Sequence, residues 1–446
     1  MAEVKRRPDI PSGPYLVVGL ARSGIAAALT LRARGAEAIG IDAGRPDGLD
    51  ALTSAGVEFH LCEQGTELLD RVNVVVKSPG VPAEVPVIAQ ARARGMSVMG
   101  ELELAWRLLE NEFIAVTGTN GKTTTVELIG HIHREAGLPV VVAGNVGRAL
   151  SGLVGYVESD VSIVCEASSF QLEDTLAFAP EAAVLLNVEP DHLDRHGTLE
   201  AYRKAKVELF AHQRPEDVAV VPAGFEPDGL PGQALRIDFG EGTNGQMAVR
   251  EDTLYWEDSP LVRRSELFLR GRHNLQNAMA AAAVCLARGL DVDAVRAALR
   301  TFAGVPHRLE QVADRDGVLY VNDSKATNVA SALVALATMT EEGLPARVIL
   351  GGQGKAQDFS PLRDPLAASC RAVYLIGEDA PLIANALRGG GVPIRDCGDL
   401  ERAVREAAGE ARSGEVVLLS PACASFDQFS SFEERGARFR ELVLGL

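Results

Sequence analysis

Eleven short apolar runs mark out the chain: YLVVGL (15–20), AEAIGID (36–42), VNVVVKS (72–78), FIAVTG (113–118), VSIVCEA (161–167), AAVLLNV (182–188), VAVVP (218–222), VLYVND (318–323), ARVILGG (346–352), AVYLIG (372–377) and EVVLLS (415–420). Most are apolar at consecutive positions, the pattern of strands covered on both faces. The segments between them carry the spacing of amphipathic helices. Strands alternating with helices in this way predict an α/β protein built on parallel sheets. No short internal repeat or low-complexity tract interrupts the pattern.

Two boundaries stand out. One falls near 105–112, where the helical stretch ELELAWRLLENE gives way to FIAVTG, and the other near 304–310, at GVPHRLE. Residues 223–270 differ from their surroundings, being rich in Gly and Pro with short pieces such as ALRIDFG and ELFLRG. They predict a small β element inside the middle domain. Three α/β domains are expected, over 1–108, 109–305 and 306–446.

Length and composition agree with this division. A chain of 446 residues exceeds one ordinary core, and 47% hydrophobic with 24% charged residues describes a folded globular protein. A net charge of −17 argues against a nucleic-acid surface, which needs a basic face. The six cysteines are scattered with no CxxC pair, so free thiols are expected rather than disulfides or a zinc site. No apolar stretch follows MAEVKRRPDIPSG, and AMAAAAVCLA (278–287) is too short to span a bilayer. A cytoplasmic protein without a membrane segment is expected.

Two glycine turns carry candidate chemistry. VVGLARSG (17–24) matches GxGxxG at Gly19 and Gly24, but Ala21 holds the position that lets a backbone approach a pyrophosphate. Asp42 ends the next strand, where a ribose-binding acid would sit. A nucleotide held by its base and sugar fits this turn better than a nicotinamide dinucleotide, and a ligand-free strand–helix turn remains open. KSPGVP (77–82) follows another strand of the same region. GTNGKTTT (118–125) is the stronger signal. Val116 replaces the first Walker glycine, yet strand, loop and helix follow in order. Backbone N–H groups can ring an anion there, Lys122 can reach terminal phosphates, and Thr123 offers a hydroxyl to Mg²⁺.

Glu166, Asp191 and His192 follow strand ends, where open α/β folds gather their chemistry. Beside a triphosphate they suit magnesium, although imidazole is an uncommon partner for that hard ion; a salt-bridged surface turn is the plain alternative. Lys206 in YRKAK has nothing local to distinguish it. In the last third, GVPHR, VNDSKATN, GGQGK and SPACASFDQFSSF place His307, Arg308, Asp323, Ser324, Lys325 and Thr327 in loops with further hydroxyls and Lys355. That set suits an anionic substrate and a nucleotide.

GTNGKTTT, the Glu166 and His192 segments, GRHNLQNA, GVPHRLE, NDSKATN and LLSPACASFDQF, in this order over nearly the whole chain, resemble the Mur ligase family. They are most similar to its D-glutamate-adding branch. The alanine-adding branch usually carries His in place of Asn120, and the DNPR-type motif of later-acting members is absent. The resemblance implies a Rossmann-like N-terminal domain for a UDP-linked substrate, a central P-loop ATPase-type parallel sheet, and a Rossmann-like C-terminal domain for the incoming amino acid. It implies an ATP-dependent, Mg²⁺-requiring ligase acting as a monomer. Its substrates would be UDP-N-acetylmuramoyl-L-alanine and D-glutamate, joined through an acyl phosphate in peptidoglycan precursor synthesis.

Residue by residue, the resemblance implies Lys122, His192, Lys206 and Lys325 as catalytic. Gly118, Thr119, Asn120, Gly121, Lys122, Thr123 and Thr124, with Asn274, Asn277, Arg308 and Asp323, would contact ATP. Thr123 would hold one magnesium, and Glu166, His192 and a carbamylated Lys206 the second. Ser23, Asp42, Ser78 and Asn145 would contact the UDP substrate, and Thr327, Lys355, Ser425, Phe426 and Phe432 would line the D-glutamate pocket. Two positions depart from the pattern: Ala21, and Phe426 where other members carry leucine. Another ATP-dependent amide ligase, such as a folylpolyglutamate synthetase or an L-glutamate-adding variant, and a non-catalytic nucleotide switch are the competing readings.

Overall fold

The computed structural model describes residues 5–226, 229–242, 244–269, 271–354 and 357–446. The chain divides into two compact units, Met1–Leu267 with Arg272–Phe302, and Phe268–Gly271 with Ala303–Leu446. The first unit carries two sheets and the second carries one.

The first sheet is parallel throughout, ordered Glu58–Leu61, Ala38–Asp42, Tyr15–Val18, Val74–Lys77, Ser97–Gly100. Chain direction across the sheet reverses between Tyr15–Val18 and Val74–Lys77. The two glycine- and serine-bearing turns therefore open side by side beyond the carboxyl ends of those strands, where open α/β sheets take ligands. Among the described residues the central sheet has nine strands. Phe113–Thr117 pairs in parallel with Ser162–Glu166 on one side and Ala182–Leu185 on the other, so the phosphate-type loop leaves from the middle of the sheet. All three strands are buried, which is why their sequences read as continuous apolar runs.

The 223–270 stretch makes no separate element. Leu235–Glu241 and Met247–Arg250 extend the central sheet in parallel, and Thr253–Trp256 and Ser259–Arg263 finish it in antiparallel pairing. ELFLRG forms no strand among its described residues. The helix expected over 101–112 is Glu101–Leu108.

In the second unit the sheet runs Glu310–Arg315, Val318–Asn322, Val416–Leu419, Ala346–Gly351, Cys370–Ile376, Ile394–Gly398, parallel except for its first pair. Its two faces pack against separate apolar clusters, one with helix Val329–Glu341 and the other with Leu400–Glu410 and Phe432–Leu444. The six cysteines are free thiols. No helix among the described residues is long and apolar enough to cross a membrane.

Candidate active site

Strand Phe113–Thr117 delivers the loop Gly118–Gly121 to helix Lys122–Glu135. Gly118 and Gly121 take φ of +154° and +85°, values that side-chain-bearing residues avoid. A Cβ on Gly121 would also collide with the Asn277 side chain, so helix Arg272–Ala287 presses directly on the loop. Asn277 is buried and donates through Nδ2 to Asn274 Oδ1 at 3.2 Å. The N-cap residue of helix Lys122–Glu135 is Gly121, which has no side chain with which to cap it, and such a helix start suits an anion.

The side chains around this loop form one connected set. Lys122 Nζ donates to the carbonyls of Gly118 and Thr119, each at 2.9 Å. Thr123 Oγ1 donates to Glu166 Oε2 at 2.8 Å, and Asn145 Nδ2 donates to Glu166 Oε1 at 2.9 Å. Thr123, Thr124 and Glu166 are buried. Lys206 Nζ donates to the Gly118 carbonyl at 2.8 Å and stands 4.3 Å from the centre of the Tyr202 ring. The Lys206 side chain is only 1% exposed. Burial first, and then the charge of Lys122, push its pKa down from 10.5 to about 7.

His192 differs from its expected co-ligands in being exposed. It adopts a left-handed backbone at φ +51° ahead of the short helix Leu193–His196, and its ring lies 5.0 Å from that of Phe170. Among the described residues no three His, Cys, Asp or Glu side chains gather closely enough to hold a metal. The structure thus joins Thr123 with Glu166 and places Lys206 on the same loop as Lys122. It does not complete a cluster with His192.

At the first glycine turn, Asp42 Oδ2 accepts from the Leu20 amide at 2.6 Å and its Oδ1 from the Gly44 amide at 2.7 Å. Ser78 Oγ donates to the Gly19 carbonyl at 2.7 Å. A Cβ on Gly24 would collide with that same carbonyl, so glycine there lets the helix start sit on the turn. Ser23 is half-buried in the first turn of helix Arg22–Ala33. Arg22 Nη2 donates to the Asn145 carbonyl at 3.2 Å. A chain of contacts therefore runs from the first turn through Arg22, Asn145 and Glu166 to Thr123 on the phosphate-type loop.

In the second unit, Asp323 Oδ2 accepts from Ser420 Oγ at 2.8 Å and Oδ1 from the Leu309 amide at 3.2 Å. Burial raises its pKa to about 7 despite these bonds and the nearby Arg308 charge. Lys325 Nζ lies 5.9 Å from the centre of the Phe432 ring, and Ser324 Oγ donates to the Phe432 carbonyl at 2.8 Å. Thr327 is half-buried beside Lys325, whose carbonyl accepts from the Thr327 amide at 2.8 Å. Ser425 Oγ is buried with no hydrogen-bond partner among the described residues, while Phe426 is largely exposed. His307, Leu309 and Ala422 all hold left-handed backbones around Asp323, strain of the kind that concentrates at functional sites. Lys355 lies outside the described residues.

Sequence reasoning missed several residues that the fold brings to the loop, Tyr202 and Asn187 among them. Tyr202 OH donates to Thr119 Oγ1 at 3.3 Å. Asn187 accepts from the amides of Thr119 and Asn120. The signal that could have found Asn187 is its place just past a strand flanking the loop strand.

Family models match the chain in three blocks: the MurD-like N-terminal domain of Mur ligases at 14–100, the Mur ligase middle domain at 116–285, and the Mur ligase glutamate ligase domain at 307–423. Proteins named UDP-N-acetylmuramoylalanine–D-glutamate ligase from Pelotomaculum thermopropionicum and Acidobacterium capsulatum are each 42% identical to it. The alignments cover 98% of this chain and 99% and 97% of those proteins. The solved UDP-N-acetylmuramate-alanine ligase MurC of Thermotoga maritima shares the fold with a TM-score of 0.56 at 20% identity, over 97% of this chain and 99% of that one. The MurF ligase of Thermotoga maritima, solved in complex with ADP, does so with a TM-score of 0.55 at 18% identity, over 99% and 98%.

Proposed function

The chain belongs to the Mur ligase family, and on that premise we propose that it joins D-glutamate to UDP-N-acetylmuramoyl-L-alanine using ATP. The observation that carries the chemistry is the glycine loop ending in a helix start whose N-cap is Gly121, with Lys122 above it and Thr123 bonded to Glu166. The substrate assignment is supported by the full-length likeness to proteins of that activity.

On this reading a carboxylate oxygen of the UDP substrate attacks the γ-phosphorus of ATP, ADP leaves, and an acyl phosphate results. The amine of D-glutamate then attacks the acyl carbon, phosphate leaves, and the amide remains. Activation is required because a free carboxylate is a poor acyl donor. Lys122 turns from the loop carbonyls to the phosphates, and with the helix-start amides it stabilises charge on the transferring group. Magnesium, when bound, would neutralise phosphate oxygens. The Thr123 hydroxyl and Glu166 carboxylate, adjacent and buried, suit that oxygen-seeking ion. In the proposed set Thr123 holds one magnesium, and Glu166, His192 and Lys206 hold the second. A free Lys206 amine is a donor rather than a ligand, so carbamylation would supply the missing oxygen, and a pKa near 7 leaves the neutral amine that captures CO₂.

Asn274, Asn277, Arg308, Asp323 and Lys325 are assigned to ATP and the reacting phosphate. Ser23, Asp42, Ser78 and Asn145 are assigned to the UDP substrate, and Thr327, Lys355, Ser425, Phe426 and Phe432 to D-glutamate. The unpartnered Ser425 hydroxyl supports the last of these assignments, because a buried donor without a partner is costly unless a ligand meets it. The domain division 1–108, 109–305 and 306–446 follows the same assignment. We read the chain as a cytoplasmic monomer without nucleic-acid or membrane partners. Sedimentation as a dimer would contradict that part.

The deciding experiment is ADP release measured with each substrate omitted in turn. Release that needs both UDP-N-acetylmuramoyl-L-alanine and D-glutamate is expected. Equal turnover with L-glutamate or with a folate, or release with neither acceptor nor amino acid, would overturn the reading.

A further inference from the structure

Several side chains from outside the phosphate loop reach its first half, and among the described residues Asn187 makes the most side-chain hydrogen bonds to its backbone. Asn187 stands two residues beyond strand Ala182–Leu185, which pairs in parallel with the loop strand. Its Oδ1 accepts from the Thr119 amide at 3.0 Å and the Asn120 amide at 2.9 Å, and its Nδ2 donates to the Asn120 carbonyl at 3.2 Å. Its backbone carbonyl also accepts from the Thr119 amide, at 3.1 Å. We propose that Asn187 is a positioning residue for ATP: by occupying the Thr119 and Asn120 amides it fixes the loop so that phosphates meet the helix start. The proposal rests on the phosphate-loop reading above.

Two successive amides pointing the same way form a concave anion site of their own. Left open, the Thr119–Asn120 pair would offer phosphates a second seat on the same loop. A neutral side-chain carbonyl fills that seat without adding negative charge near the nucleotide. Lys122 holds the same two peptide groups by their other poles, through the Gly118 and Thr119 carbonyls. When Lys122 turns to the phosphates those contacts are given up, and Asn187, with Lys206 on the Gly118 carbonyl, remains to keep the two peptides in place. The segment leading away from Asn187 stays on the loop as well. The Glu189 amide donates to Thr119 Oγ1 at 2.9 Å, and Asn120 Nδ2 donates to Glu189 Oε2 at 2.9 Å.

The test compares Asn187→Ala and Asn187→Asp in the full chain. It measures KM for all three substrates and ADP affinity by calorimetry. Losing two or three neutral hydrogen bonds should weaken ATP and ADP by about tenfold or more in Asn187→Ala. KM for the UDP substrate and for D-glutamate should stay within about twofold, since neither is placed on this loop. Asn187→Asp keeps an accepting oxygen for the two amides but loses the Nδ2 donor and sets a carboxylate beside the phosphates, so its loss of ADP affinity should shrink as salt is raised. A purely structural role would raise all three KM values together, and that outcome overturns the proposal. So do wild-type ADP affinities at every salt concentration in Asn187→Asp, even if Asn187→Ala does not fold. Lys122→Ala, run alongside, separates the two claims. If it binds ADP like wild type, the phosphate-loop reading fails. If it loses ADP while both Asn187 variants do not, the Asn187 proposal fails alone.

Discussion

Replacing Lys206 with methionine should make the metal-free protein more stable near neutral pH, with a gain that fades as pH rises. Lys206 Nζ has one hydrogen bond, to Gly118, and no ion pair among the described residues, and its side chain is 1% exposed. Burial and the Lys122 charge lower its pKa from 10.5 to about 7. The folded chain therefore holds this proton less tightly than the unfolded chain does. Between about pH 7 and 10.5 unfolding takes up a proton, so stability rises with pH across that window. At about 1.4 kcal/mol per pH unit, the penalty carried by wild type is roughly 4 kcal/mol at pH 7 and roughly 1.4 kcal/mol at pH 9.5. Methionine fills a similar volume without charge, and it leaves the Gly118 carbonyl short of one donor at both pH values. The pH-dependent part of the difference, about 3 kcal/mol, is thus the quantity to read. Urea unfolding of both proteins by circular dichroism, at pH 7 and 9.5 in EDTA and CO₂-free buffer, measures it. Parallel stability curves for the two proteins would refute the reasoning, since they would mean that the amine titrates as an exposed lysine does.

Further outcomes follow from the same contacts. Lys122→Ala should lose several powers of ten in turnover with its circular dichroism unchanged; near-normal ligation by the folded variant would remove the phosphate loop from the reaction. Lys206→Ala should be almost inactive and partly restored by short carboxylic acids that occupy the vacated space, whereas wild-type activity without them would end the carbamate assignment. Gly24→Ala should destabilise the chain by about 1–3 kcal/mol and weaken the UDP substrate, because its methyl group meets the Gly19 carbonyl. An unaltered melting curve and KM would count against that account. Calorimetry should detect the uridine substrate and not NADH, as Ala21 replaces the pyrophosphate-approach glycine; the reverse pattern would invalidate the assignment of the first turn.

The eleven runs of consecutive apolar residues all became strands because parallel strands covered on both faces must be apolar throughout, a property local to each run. Outside the 223–270 stretch, every other described strand lies at a sheet edge: Glu58–Leu61, Ser97–Gly100, Val140–Gly144, Glu310–Arg315 and Ile394–Gly398. Edge strands pair on one side only, and Glu58–Leu61, Glu310–Arg315 and Ile394–Gly398 carry charges or polar residues, so their sequences lack the buried signature, whereas Val140–Gly144 is itself a continuous apolar run. The 223–270 strands were expected as a small β element of the middle domain, and their weak pattern predicts strands without saying that they extend the central sheet.

The strand–glycine loop–helix turn at 113–135 was legible because strand, glycines, lysine and helix are contiguous, and backbone geometry follows from those residues alone. Thr123 with Glu166, and Lys206 with Gly118, depended on pairings 43 and 88 residues apart. No local pattern distinguishes Lys206 from a solvated helix lysine; only its burial against the loop, beside Lys122, changes its proton affinity. Asn187 is likewise an ordinary strand-end asparagine until the pairing of Phe113–Thr117 with Ala182–Leu185 sets it against two loop amides. Contiguous chemistry was written in the sequence itself, whereas desolvation and hydrogen bonding across the sheet exist only once packing has brought distant residues together.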